Sequence, residues 1–333
     1  MRPVFQWNLG SRVLELGKRT FIMGVLNVTP DSFSDGGLYT NCDTAVEHAL
    51  FMLDQGADII DVGGESTRPG ARVTDLSEKT PEKKPASESK TKAGSAGKAG
   101  DKATSEKSAA CEKATSAEKA AVSEKEELER VIPVITALKQ KKPGALISVD
   151  TYKSGVARAA VGAGAQIVND VSGFRWDPQM PKTLAQLNCG VVMMHMRGRP
   201  AEWRNLPPIA DMVLLLKREL SDWTQDAVRL GIKRDRIAVD PGLGFGKNFE
   251  QNYPLLKRLE ELHTLRFPIV VGVSRKSFVG RAIASNGKDA PTGERLFGTL
   301  AAETVAILRG AHILRTHDVK ASVDAAKMAD KIA

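Results

Sequence analysis

The chain has 333 residues, of which 42% are hydrophobic and 5% aromatic, and its formal net charge is +8. This length fits two ordinary domains or one α/β barrel, and the apolar share is large enough to fill a core. Lys and Arg are spread along the chain and are not clustered with aromatic residues. This even distribution argues against a nucleic-acid surface, and the positive net charge favours a site for a small anion.

The cysteine pattern bears on the compartment. Cys42, Cys111 and Cys189 are scattered and form no CxxC pair. An odd number without close spacing argues against a disulfide framework and a zinc site, and it favours a reducing compartment. No uninterrupted apolar run approaches the roughly 18 residues needed to cross a bilayer. We therefore expect a cytoplasmic protein without a membrane partner.

One pattern of elements repeats along the chain. An alternation over residues 4–18 predicts a hairpin or arm that closes one end of the fold. Eight short apolar runs follow, at residues 21–27, 57–63, 145–150, 166–170, 190–195, 236–240, 268–274 and 312–317. Between them lie amphipathic stretches that predict helices, at residues 44–55, 126–139, 154–162, 209–230, 253–265, 293–309 and 319–332.

Apolar strands that alternate with helices predict a parallel sheet covered by helices on its outer face. Eight such units predict an α/β fold of the (β/α)8, or TIM barrel, type, formed by one domain over residues 1–333. A doubly wound open sheet is the alternative. The barrel is favoured because the polar residues stand at the carboxyl ends of the strands, where barrel enzymes collect their chemistry.

The polar residues at these strand ends are candidate site residues. They are Asn27, Asp61, Asp150, Asn169, Asp170, His195, Asp240, Ser274, Arg315 and His317. A single strand-end aspartate is as readily a turn or cap residue, but many convergent polar ends are harder to explain in that way. For His195, a histidine packed at the strand end is the alternative to a role in the site.

The composition changes between about residues 78 and 125, where Lys, Glu, Ala, Ser and Thr dominate. Glu-Lys pairs begin at Glu106, Glu112, Glu118 and Glu124, and their spacing of six fits neither a helix nor a heptad. The segment predicts a long disordered insertion in the second βα loop. A neutral surface loop and a regulatory or partner-binding segment both stay open. Deletion of residues 80–122 is expected to leave turnover within a few-fold of the full chain.

The stretch VDPGLGFGKN, residues 239–248, resembles a P-loop only superficially. A P-loop needs four residues between its glycines and a hydroxyl after the lysine. Here three residues separate Gly242 from Gly246, and Asn248 replaces the hydroxyl. We interpret the stretch as a tight turn that holds Asp240 at the barrel mouth, and we expect Lys247 to be a solvated residue.

Two longer segments, NVTPDSFSDGG at 27–37 and GADIIDVGGESTRPGA at 56–71, resemble the signature segments of the dihydropteroate synthases. The match continues in order through ISVDT, IVNDVSG, MMHMRG, VDPGLGFGK, GVSRKSF and LRTHDV. It covers nearly the whole chain except the insertion. The resemblance implies a barrel transferase of folate biosynthesis that joins 6-hydroxymethyl-7,8-dihydropterin diphosphate to 4-aminobenzoate and releases pyrophosphate. It also implies Mg²⁺ as cofactor, a homodimer through the later barrel helices, and a target of sulfonamides.

The resemblance further assigns roles to individual residues. The expected pterin-binding residues are Asp150, Asn169, Met193, Asp240, Lys276 and Arg315. The expected diphosphate-binding residues are Asn27, Arg68, Arg315 and His317, with Asn27 also the ligand of Mg²⁺. The expected aminobenzoate-binding residues are Phe33, Thr67, Arg68, Pro69, Phe245 and Ser277. The expected catalytic residues are Asp31, Asp35, Lys276 and Arg315.

Two other functions compete with this interpretation. A corrinoid-dependent pterin methyltransferase shares the barrel but needs no diphosphate cradle, so STRPG, SRKS and RTHDV argue against it. A non-catalytic relative that serves as a scaffold would have lost site residues, and none of the expected residues is missing from the chain.

Overall fold

The computed structural model describes residues 2–29, 38–66, 71–74, 76 and 121–333. Two antiparallel strands come first, β1 (Phe5–Asn8) and β2 (Val13–Leu16). The eight strands that follow are β3 (Phe21–Asn27), β4 (Ile59–Gly63), β5 (Leu146–Asp150), β6 (Ile167–Asp170), β7 (Gly190–Met194), β8 (Ile237–Asp240), β9 (Val270–Gly272) and β10 (Ile313–Thr316). Their order in the sheet is β8-β7-β6-β5-β4-β3-β10-β9, and all neighbours are parallel.

The two ends of this sheet meet. Val239 of β8 forms a parallel bridge to Ile269, and the Val239 N–H donates to the carbonyl of Pro268 at 2.9 Å. The sheet is therefore closed into a barrel. The predicted (β/α)8 fold is confirmed, and the open doubly wound sheet is excluded.

Helices follow the strands around the outside. They are α1 (Leu38–Asp54), α2 (Glu124–Lys141), α3 (Ser154–Gly162), α4 (Met180–Gln186), α5 (Met212–Arg229), α6 (Phe249–Lys257), α7 (Ser277–Ala282), α8 (Leu296–Leu308) and α9 (Val319–Ile332). The predicted helical stretches leave out the two short helices α4 and α7. They also join α6 to the 3-10 helix at Leu259–Leu265, whereas Arg258 ends α6 and separates the two.

Both faces of the barrel strands are buried, which is why their sequences read as nearly continuous apolar runs. Side chains that point inward, such as Ile59, Ile167 and Val192, form a central cluster, and the others pack against the helices. Parallel strands bring their carboxyl ends to one rim. Asn27 pairs with Gly63, and Gly63 pairs with Asp150, so these strand ends lie side by side.

The N-terminal hairpin covers the opposite end of the barrel. Trp7, Leu9 and Leu16 are fully buried in the central cluster. The Trp7 indole N–H donates to the carbonyl of Arg236 at 2.9 Å, just before β8. The predicted hairpin is therefore confirmed.

The insertion ends earlier than predicted. Ser123 caps α2, and its capping box with Glu126 starts the helix at Glu124, so residues 123–125 belong to the barrel. A reciprocal pair of cap hydrogen bonds fixes this start against the uniform composition around it. The predicted disorder of residues 78–120 lies outside the described residues. Within the part of the chain that the structure describes, no helix is both long and apolar enough to span a membrane.

Candidate active site

Arg315 lies at the centre of the polar rim. Its Nε donates to Oδ2 of Asp61 at 2.6 Å, and its Nη2 donates to Oδ2 of Asp150 at 2.7 Å. Asn169 donates from Nδ2 to the same Asp61 oxygen at 3.1 Å. Four strands, β10, β4, β5 and β6, thus contribute to one hydrogen-bonded cluster. The strand-end pattern makes Asp61 a candidate site residue, but the family resemblance assigns it no role.

Asp240 and Lys276 form the other half of the rim. Oδ1 of Asp240 accepts from the N–H of Gly242 at 2.6 Å, and Lys276 Nζ donates to the carbonyl of Leu243. Burial raises the pKa of Asp240, and the nearby Lys276 opposes that rise. Burial lowers the pKa of Lys276 to about 8, against the pull of Asp240. The ammonium also lies 4.4 Å from the centre of the Phe245 ring.

The glycine-rich stretch after Asp240 is a backbone turn. Gly242 has φ +61°, and a Cβ at this position would lie 1.8 Å from the carbonyl oxygen of His195. Only glycine combines this left-handed conformation with so close an approach to another backbone segment. The turn therefore presses against the end of β7, as the interpretation of the stretch required.

Lys247 is not solvated, and that expectation is wrong. The residue is buried, and Nζ donates to the carbonyls of His195 and Phe245, both at 3.1 Å. A long side chain in a polar loop reads as exposed from sequence, but here it ties the loop to β7. Burial lowers its pKa well below the usual value.

His195 is a packed strand-end histidine, the alternative to a role in the site. Its ring stacks on Trp223 with centroids 5.2 Å apart, and Nε2 lies 2.8 Å from Oε2 of Glu219. Burial lowers the pKa of His195 to about 4, so the imidazole is neutral at pH 7. These contacts hold α5 against β7.

The expected diphosphate ligands lie on neighbouring strands. Asn27 ends β3, beside Gly63 in the register that also places Asp150. His317 follows β10, the other neighbour of β3. Its backbone N–H donates to Oγ of Ser274 at 3.1 Å, and its Nδ1 lies 3.1 Å from the same oxygen. Ser274 therefore orients the imidazole.

Two strand-end residues do not face the site. Met193 packs in the cluster between sheet and helices, so its prediction as a pterin-binding residue is wrong. The strand alternates faces, and Met194 is the residue in the cluster at the mouth. Asp170 accepts from the N–H groups of Ser172 and Phe174 at 2.7 and 3.1 Å, so it stabilises a turn.

The expected aminobenzoate subsite is described in part. Phe245 lies between Lys276 and Trp203, whose ring contacts it edge-on at 5.2 Å. Ser277 is exposed as the first residue of α7. Trp203 was missed because no periodic pattern marks its 3-10 turn. The predicted residues that lie outside the described residues are Asp31, Phe33, Asp35, Thr67, Arg68 and Pro69.

Comparisons with known proteins show the family of the chain. The pterin binding enzyme family model matches residues 23–86 and 111–317. The dihydropteroate synthase of Synechocystis sp. is 38% identical over 97% of this chain and 94% of the relative, and that of Escherichia coli is 37% identical over 93% and 90%.

Solved structures of this family share the fold. A Clostridium difficile dihydropteroate synthase determined with pteroic acid has a TM-score of 0.75 at 38% identity and covers 96% of this chain and 98% of its own. A Xanthomonas albilineans dihydropteroate synthase in complex with 7,8-dihydropteroate has a TM-score of 0.74 at 34% identity and covers 98% of each chain. The chain belongs to the dihydropteroate synthase family of pterin binding enzymes.

Proposed function

We propose that the protein condenses 6-hydroxymethyl-7,8-dihydropterin diphosphate with 4-aminobenzoate and releases pyrophosphate, as a transferase of folate biosynthesis. The observation that carries the proposal is the convergence of Asp150, Asn169, Asp240, Lys276 and Arg315 at one rim. Solved relatives hold pteroic acid, 4-aminobenzoic acid and 7,8-dihydropteroate.

The rim suits a pterin ring. The pterin edge carries N–H donors and ring acceptors, and burying it leaves them unsatisfied unless the pocket supplies partners. Asp150, Asn169 and Asp240 supply acceptors, and Lys276 supplies a donor for the carbonyl side of the ring. The planar guanidinium of Arg315 is suited to lie against the ring face, which an ammonium group cannot do.

The reaction breaks the bond between the pterin methylene carbon and the diphosphate oxygen. The electron pair leaves with pyrophosphate, and the electron-rich dihydropterin stabilises the methylene cation. The amine of 4-aminobenzoate then attacks this carbon, and the new ammonium nitrogen releases a proton to solvent. Arg315 by its charge and His317 as a hydrogen-bond donor stabilise the negative charge on the departing group, and fixed groups of this kind lower the barrier without a protein nucleophile.

Mg²⁺ is the cofactor we propose for this site, with Asn27 as its protein ligand. Within the described ranges no group of three His, Cys, Asp or Glu residues could hold a metal unaided. Mg²⁺ commonly keeps several waters and binds through substrate phosphates, so a single amide oxygen next to the diphosphate fits its chemistry. Bound there, the ion would neutralise charge on the diphosphate.

A homodimer is part of the proposal. One face of α8 carries exposed apolar side chains at helical spacing, with Phe297 81% exposed and Val305 and Leu308 also exposed. Ile283 is also exposed, and its side chain lies against Gly298 of α8. An exposed apolar helix face of this kind marks a protein interface, and a two-fold axis would pair it with its own copy.

The test is pyrophosphate release by the purified protein. We expect release only when both substrates are present, and Lys276→Ala and Asp240→Asn should each lower the rate about a hundredfold because they remove groups that contact the pterin. The surface pair Lys320→Ala and Asp324→Asn makes the same chemical changes away from the rim and should keep the full rate. Full rates in Lys276→Ala and Asp240→Asn would contradict the assignment of the site, and methyl transfer without pyrophosphate release would favour the corrinoid-dependent alternative.

A further inference from the structure

A buried ionic cluster next to the rim has no part in the proposed reaction. Lys153 is fully buried, and its Nζ lies 2.6 Å from Oε2 of Glu65 and 2.5 Å from Oε2 of Glu127. The hydroxyl of Tyr152 donates to the other oxygen of Glu65 at 3.2 Å. Burying three charges is costly, so a cluster of this kind calls for an explanation beyond stability.

The cluster holds the segment that leaves β4. This outgoing stem, residues 64–66, is the first part of the second βα loop. Arg130 of α2 donates from Nη1 to the carbonyl of Gly64 at 2.8 Å. A Cβ on Gly64 would lie 2.9 Å from Val131 and 3.0 Å from Glu127, so the stem packs flat on α2. Glu65 is then fixed by Lys153.

The same tyrosine also holds the segment that returns. This return stem is residues 71–74. The N–H of Thr74 donates to the hydroxyl of Tyr152 at 2.9 Å, and Oγ1 of Thr74 donates to the carbonyl of Val122 at 3.0 Å. Leu76 is buried in a cluster with Tyr152 and Trp176. The two ends of the insertion are therefore joined at its base, beside Tyr152.

We infer that Tyr152 is a positioning residue for aminobenzoate binding, because its hydroxyl joins both stems of the second βα loop. The inference rests on the proposed function, which expects aminobenzoate-binding residues in that loop. The O–H group of Tyr152 donates to the outgoing stem, and its oxygen accepts from the return stem, so the hydroxyl fixes the distance between the two stems. The ring is held in turn by Trp176, edge-on at 5.0 Å, and by the Lys153 ammonium at 4.8 Å.

The hydrogen bonds of Thr74 to Tyr152 and to Val122 form a junction between the insertion and the rest of the loop. Thr74 and Val122 are linked before the insertion begins, so its length does not change where the stems lie. Burial, together with the neighbouring Glu65, raises the pKa of Tyr152 above its usual value. The hydroxyl therefore keeps its proton at neutral pH and can donate to Glu65.

Tyr152→Phe tests the inference because it keeps the ring and removes only the hydroxyl. The variant loses both hydrogen bonds of the hydroxyl, and each is worth about 1 kcal/mol. We therefore expect the KM for 4-aminobenzoate to rise about fivefold or more, with little change in kcat. The equilibrium affinity for the pterin diphosphate alone should stay within about twofold, since the Tyr152 hydroxyl bonds to Glu65 and Thr74 and to none of the pterin residues. Thr224→Val, which removes a buried hydroxyl bonded to Leu220 in α5, is the matched control and should change neither value.

An unchanged KM for 4-aminobenzoate, or an equal loss of affinity for both substrates, would overturn the inference. A second measurement does not depend on turnover. In Tyr152→Phe the amide of Thr74 should exchange its hydrogen faster, whereas the amides of β5 should keep their protection. Unchanged exchange at Thr74 overturns the inference even if the wild-type protein proves inactive, and inactivity of the wild type counts against the proposed function alone.

Discussion

Each cation of the rim is matched to buried carboxylates. Arg315 contacts Asp61 and Asp150, and Lys276 lies near Asp240. Burial alone penalises every one of these charges, and the opposite charge beside it offsets part of that penalty. The balance leaves Asp150 with a pKa raised to about 7, mainly by burial and against the pull of Arg315.

The pH dependence of catalysis follows from these two groups. Asp150 accepts hydrogen bonds best when ionised, so kcat/KM for the pterin diphosphate should fall as the pH drops below about 7. Lys276 must stay protonated, so kcat/KM should also fall as the pH rises above about 8. We expect a bell-shaped profile, because kcat/KM reports the groups of the free enzyme.

The matched variant for this profile is Lys276→Arg, which keeps the charge but does not lose its proton in the measured range. Its alkaline limb should disappear even if the absolute rate is lower. An alkaline limb that persists in Lys276→Arg would assign the titration to another group.

For single residues, the sequence predicted well which side chains meet at the rim, and it predicted poorly which face of a strand a side chain occupies. Asp150, Asn169, Asp240 and Arg315 were predicted because polar residues at the ends of parallel strands must meet at one rim. Met193 was wrong because a shift of one residue along a strand turns the side chain to the other face.

Partners across the barrel could not be read from the sequence. The contact of Asp61 with Arg315 joins residues far apart in the chain. The burial of Lys247 likewise depends on the approach of the β7 end, which composition does not reveal.

Among the elements, the barrel strands were predicted because an apolar run with a polar end is a strong local signal. Helix α4 has only seven residues, so it is too short to show an apolar period. The start of α2 was placed two residues late because its acidic first turn continues the composition of the insertion.

The insertion should be removable if its base is kept. We expect deletion of residues 78–119, which keeps Leu76 and Val122, to leave kcat/KM for 4-aminobenzoate within about twofold of the full chain, since loop-closure entropy changes little with length. Deletion of residues 80–122 removes the acceptor of the Thr74 hydroxyl and should cost more. Measuring kcat/KM for 4-aminobenzoate in both deletions tests whether the base of the insertion matters and its length does not. A large loss on deletion of residues 78–119 would assign the insertion an active role.

For the whole molecule, the exposed face of α8 predicts the assembly. Phe297→Glu places a charge at the centre of the apolar surface, and a desolvated like-charge pair across a two-fold axis should dissociate the dimer. Leu214→Glu, at an exposed residue of α5, is the control and should leave the mass unchanged. Sedimentation of the three proteins measures this, and a monomeric wild type would refute the proposed dimer.

The closed barrel was predictable as a whole because eight repeats of strand and helix leave few other topologies. The first two βα loops carry Asp31, Arg68 and the other predicted residues that lie outside the described part of the chain, so their roles stay predictions.

The central claim is that one rim holds both the flat pterin ring and the group that departs from it. A crystal structure of the protein with 7,8-dihydropteroate tests it most directly. We expect the pterin edge to contact Asp150, Asp240 and Lys276, with the guanidinium of Arg315 against the ring face. A pterin ring bound elsewhere, without contact to these four side chains, would contradict the account.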